Sequence, residues 1–81
     1  MLDLNESNSF DQLADCTVKM LEILIFHFES GKISFDDFKK NTQIKIAFLE
    51  ANLNKLNTDS IKNIAINVLK NCSRILQSQN I

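Results

Sequence analysis

An all-α, three-helix up-down-up antiparallel bundle is what this 81-residue sequence predicts, and three observations carry the prediction. Apolar residues recur at spacings of three and four along almost the whole chain, the signature of amphipathic helices. The chain has one glycine and no proline, and its breaks gather at two short polar stretches, Glu29–Gly31 and Asn57–Ser60. Strand-type alternation nowhere lasts beyond Gln43–Ala47, which sits inside a longer helical pattern. Three helices, over about 10–30, 35–56 and 59–78, joined by loops of a few residues, make antiparallel neighbours the natural solution.

Residues 1–8 read as a polar lead to a single domain over 9–81, with Leu2 and Leu4 available to cover one end of the core. The first helix opens on Ser9-Phe10-Asp11-Gln12, a capping-box pattern in which Ser9 caps and Gln12 reaches back. Phe10, Leu13, Ala14, Thr17, Leu21, Leu24 and Phe28 fall on one stripe, with Val18, Met20 and Ile25 on its shoulders. Asp11, Gln12, Asp15, Lys19, Glu22 and Ser30 fall on the opposite, polar side. Gly31 suits the left-handed residue just past the helix end, where a side chain adds strain.

The second helix begins with Ser34 as its N-cap, and Asp36 and Asp37 put negative charge at the positive end of the helix dipole. Ile33 precedes the cap and can staple the turn onto the helix body. Phe35, Phe38, Thr42, Ile46, Leu49, Leu53 and Leu56 then step by three and four. In the third helix Ile61, Ile64, Ala65, Val68, Leu69, Cys72, Ile75 and Leu76 form the stripe, Ile66 alone straying, and Gln77–Ile81 should fray.

Composition narrows the function classes. The charged share of 23% and apolar share of 44% belong to a globular domain. No apolar run approaches the roughly 18 residues of a membrane span, and the acidic, polar start MLDLNESN is unlike a signal peptide, so the expected compartment is cytoplasmic. One His, no Tyr, no Trp and a single Gly leave few ways to build an acid–base pair or a phosphate cradle. His27 and Cys16 lie eleven residues apart on one helix, about three turns, too far to form a dyad. Asp36-Asp37 reads as a helix-start charge pair and His27 as a helix-terminal surface residue. No catalytic, cofactor or metal residues are expected, no small-molecule ligand, and no enzymatic activity.

Two further readings fail on chemistry. A calcium loop with Gly31 at its sixth position would place Phe26 and Phe28 where oxygen ligands are needed. Cys16 and Cys72 fall at different heights on the first and third helices, beyond the roughly 7 Å that a disulfide spans, and Cys72 reads as a buried small hydrophobe.

The stretch Leu21–Leu49, through Gly31, Ile33, Ser34, Asp36, Asp37, Phe38 and Lys39, resembles the SHOCT-type short helical hairpin over about a third of the chain. Any efficient helix–Gly–cap–helix junction selects the same residues, so no family is inferred from them. The resemblance would imply an oligomerising hairpin with no active site to carry over.

What remains is a second set of apolar residues off the core stripes. Ile44 and Phe48 lie away from the core seam of the second helix with Ala47 and Ala51 beside them, and Ile23 and Phe26 fall on the polar side of the first. The expected interface is therefore Ile23, Phe26, Ile44, Phe48 and Ala51, with Gly31 and Ser34 as structural turn residues. Its expected occupant is a second copy forming a homodimer, or else another protein. Charge is uneven: residues 1–30 hold six acids and one lysine, residues 31–81 eight cations and four acids. The alternative function is nucleic-acid binding on the basic side of the second and third helices, through Lys62, Lys70 and Arg74 with Lys39, Lys40, Lys45 and Lys55. A pI near 5.7 and long helices of similar length weigh against it.

Overall fold

The computed structural model describes residues 6–78, with side chains from Phe10 to Ser78. Three helices follow one another: α1 (Glu6–Glu29), α2 (Phe35–Asn52) and α3 (Asp59–Ser78), with a 3-10 turn over Leu53–Lys55. All three pairs of helices pack together; α1 lies against both others, while α2 and α3 share a smaller contact. The molecule is an all-α three-helix bundle, elongated to 46 × 21 × 18 Å.

The turn between α1 and α2 is built from local chemistry. Gly31 has φ +79°, the left-handed conformation that costs a side chain energy. The Lys32 N–H donates to the His27 carbonyl at 2.8 Å and the Gly31 N–H to that of Phe28 at 3.0 Å, the paired bonds of a Schellman ending. Ser34 then caps α2, its hydroxyl oxygen accepting from the Asp37 N–H at 3.1 Å. The Phe28 ring packs on Phe38 at 5.1 Å and on Phe35 at 6.1 Å, fixing the hairpin end to the core.

Ala14, Val18 and Leu21 from α1, Phe38 and Leu49 from α2, Leu56, and Ala65, Val68, Cys72 and Ile75 from α3 form the core. Each of the larger fully buried side chains, Phe38, Leu21 and Leu49, contributes on the order of 1.5–3 kcal/mol by leaving water. Two buried threonines satisfy their hydroxyls within their own helices, Thr17 on the Leu13 carbonyl at 2.9 Å and Thr42 on that of Lys39 at 3.3 Å.

Several sequence expectations are corrected. Helix α1 already runs at Glu6, so Ser9 lies inside it and is not its N-cap. Its buried stripe is rotated toward Val18 and Asp11: Val18 is central, Leu13 is half exposed, and Asp11 is buried rather than solvated. The cause is that α1 faces two neighbours, so its buried direction points between them. Ile64, expected in the α3 stripe, is 42% exposed, while the expected stray Ile66 is half-buried.

Helix α2 stops at Asn52, four residues short of the expected end at Leu56. The Asn57 N–H, which a continuing helix would donate to the Leu53 carbonyl, is taken at 3.1 Å by the Asp11 carboxylate, and the Thr58 N–H goes to the same group at 2.8 Å. Leu56 leaves the helix in an extended conformation and still reaches the core. Of the expected fraying over Gln77–Ile81, Gln77 and Ser78 are instead helical, and residues 79–81, like the expected roles of Leu2 and Leu4, lie outside the described residues.

Candidate interaction surface

Antiparallel pairing of α1 and α2 sets their residues in a simple register. Leu13 comes level with Phe48, Thr17 with Ile44 and Met20 with Asn41, each pair within one lining. On the outer side of this pair two adjoining depressions open, of about 280 and 240 Å³. Leu13, Thr17, Ile44, Lys45 and Phe48 line the first; Met20, Ile23, Leu24, Asn41 and Lys45 line the second. Lys45 belongs to both and is the only charged residue in either lining. The result is a shallow groove about three helical turns long, apolar at both ends, with one lysine midway.

The exposed large hydrophobics concentrate here. Ile44 is 79% exposed, Ile23 54%, Leu13 52% and Met20 44%. Polar neighbours turn inward upon α2 itself: the Lys45 ammonium donates to the Asn41 carbonyl at 3.0 Å, the Asn41 amide to that of Asp37 at 2.8 Å, and the Asn52 amide to that of Phe48 at 2.8 Å. Scattered exposed hydrophobics are ordinary, whereas Leu13, Met20, Ile23 and Ile44 stand together along one groove.

The five expected interface residues divide. Ile23 and Ile44 line the groove and are exposed. Phe48 lines it too, but it is half-buried against the core with its ring 6.0 Å from that of Phe10, so the expectation that it points clear of the core is corrected. It forms the floor of the groove. Phe26, 62% exposed, lies off the groove beside the His27 ring at 6.0 Å, and Ala51 is exposed without lining either depression. Leu13, Met20 and Lys45 belong to the groove as well, where the sequence reading puts Leu13 on the core stripe, Met20 on its shoulder and Lys45 among the cations of the alternative nucleic-acid surface. Their signal was present, since the α1 shoulder opposite Ile44 and Phe48 has to complete any groove those two begin.

A third depression of about 290 Å³, between α1 and α3, is lined by Glu22, Ile25, Ile64, Asn67, Val68 and Asn71. Asp36 pairs with Lys40 at 3.3 Å and Asp15 with Lys19 at 3.1 Å, both between successive turns of one helix and open to solvent. The Asp15 carboxylate holds the Lys19 ammonium above its usual value. Burial pushes the Cys72 thiol up to about 11, which keeps it un-ionised and unreactive at neutral pH, while Cys16 is exposed; both are free. Among the described residues no three His, Cys, Asp or Glu side chains gather to hold a metal ion, and no helix is long and apolar enough to cross a membrane.

Geometry and side-chain chemistry thus define a helical bundle with an exposed apolar groove between α1 and α2. Comparison with family models, curated proteins and solved structures yields no match.

Proposed function

We propose that this chain is a non-enzymatic protein–protein contact module that self-associates through α1 and α2. The observation that carries the reading is the groove between these helices, where Leu13, Met20, Ile23 and Ile44 stand exposed side by side. Covering such side chains releases roughly 25 cal/mol per Å² of apolar surface, and a second copy supplies a matching groove without requiring another gene product. Small cores without metal or disulfide are also commonly completed by association.

Light scattering at micromolar concentration tests this directly and is expected to give twice the mass of the chain. Ile44→Asp is expected to return the protein to monomer with unchanged helicity, because Ile44 is largely exposed in the single chain. A wild-type monomer, or an Ile44→Asp protein still dimeric, speaks against the reading. Phe48→Asp is a poorer probe, since the Phe10 contact makes it a folding defect as well.

A further inference from the structure

The lysine in the middle of the groove restricts how a second copy can lie on it. Lys45 is the only charge in the lining, and a partner that covers it without an acid leaves an ammonium desolvated and unpaired, at substantial cost. No acid of the same groove reaches it: its ammonium sits on the Asn41 carbonyl instead. Four residues from Asn41 in the other direction stands Asp37, exposed, on the same edge of α2 and in no ion pair among the described residues. Lys45 and Asp37 therefore flank Asn41 at equal distances, about 6 Å each along the helix.

We infer that two copies pack groove to groove about a two-fold axis crossing the helices at Met20 and Asn41, so that Lys45 of each pairs with Asp37 of the other. The inference rests on reading the α1–α2 groove as a self-contact surface. An axis across the helices reverses their direction, so α2 lies antiparallel on α2 of the copy and α1 on α1. Residues equally spaced about the axis then come level. Lys45 meets Asp37 twice, the two Met20 side chains meet at the axis, and Thr17 comes level with Ile23 of the copy. The two lysines are meanwhile offset by about eight residues, or 12 Å along the axis. The other symmetric choice, an axis parallel to the helices, sets α2 on α1 of the copy. Lys45 then faces the level of Thr17, where the α1 lining offers no acid. Charge complementarity selects the crossing axis.

The test is a charge exchange read by sedimentation, with circular dichroism to establish that each variant is helical. Lys45→Glu alone brings two acids together twice per dimer, and Asp37→Lys alone brings two lysines together twice. Each is expected to raise the dissociation constant about tenfold or more. Carrying both changes on one chain is expected to restore the dimer. Mixing the two single variants is expected to give a heterodimer. In it the introduced glutamate of one chain meets the introduced lysine of the other, and the unchanged Asp37 of the first meets the unchanged Lys45 of the second. Should Asp37→Lys weaken the start of α2, the neutral pair Lys45→Met with Asp37→Asn serves instead. It is expected to dimerise with the salt dependence of the wild type abolished. If the wild type dimerises and Ile44→Asp prevents it, yet the mixture forms no heterodimer or the neutral pair keeps its salt dependence, this geometry is overturned and the groove reading stands. A wild type still monomeric at about 100 μM overturns both.

Discussion

At the scale of single residues the decisive one is Asp11, a carboxylate on α1 that ends α2 and positions α3. It is buried and accepts the Asn57 and Thr58 N–H groups, both orphaned where the chain passes between helices. The Thr58 side chain and the Asn57 N–H hold its carboxyl below the usual carboxylate range, against the opposing pull of burial. Because the folded value is depressed, the stabilisation is complete above the unfolded value near 3.8 and is lost as pH falls through the folded value. Asp11→Ala is expected to lower Tm on the order of 10 °C at pH 7, because two backbone donors lose a charged acceptor. The difference from wild type is expected to narrow steadily below about pH 4, as the wild-type carboxylate itself becomes protonated. Thermal unfolding followed by circular dichroism from pH 7 to pH 2 checks both; a difference independent of pH would mean that charge plays no part. None of this was legible in the sequence. A helical wheel assigns Asp11 to a polar face from its own helix, and the groups it serves lie 46 and 47 residues away.

At the scale of elements, the two junctions differ in what determines them. The Gly31 to Ser34 turn is local: glycine, cap and first-turn acids lie within seven residues of one another. Those residues could be read correctly because the chemistry and the sequence that specifies it coincide. A Cβ at Gly31 would meet nothing within 4 Å, so the cost of a side chain there is backbone strain alone. Gly31→Ala is expected to destabilise by about 1–2 kcal/mol, and Gly31→Asn by less, because asparagine tolerates the left-handed conformation. Urea unfolding measures the two, with the slope of each transition unchanged; equal losses for Ala and Asn would point to something other than φ. The second junction resisted reading for the opposite reason. Leu53 and Leu56 continue the α2 pattern in sequence, but a distant carboxylate diverts the Asn57 N–H and the helix unwinds before it. Periodicity reports which residues face inward, and Leu56 does, whether or not the backbone around it is helical.

At the scale of the whole molecule, α1 is the shared helix, with α2 and α3 on either side of its buried stripe. The bundle class was legible because three amphipathic segments with short connections admit few arrangements. Which shoulder of α1 would stay open was not, since the periodicity of one helix does not say on which side its neighbours settle. That ambiguity explains why Ile44 was found on α2 while Leu13, its companion across the groove, was assigned to the core. It also explains Phe26, apolar and exposed but turned away from the groove. The open groove has a thermodynamic consequence that can be measured without any variant. If folding is linked to pairing, mass action favours the folded dimer as concentration rises, and Tm is expected to increase by roughly 3–5 °C for each tenfold increase in protein. Ile44→Asp is expected to unfold at one temperature over the same range, near the low-concentration limit of the wild type, because its own core is untouched. A wild-type Tm that stays constant from micromolar to millimolar protein would mean that the groove stays open to solvent in isolated protein. The self-association reading of the row from Leu13 to Ile23 would then be overturned.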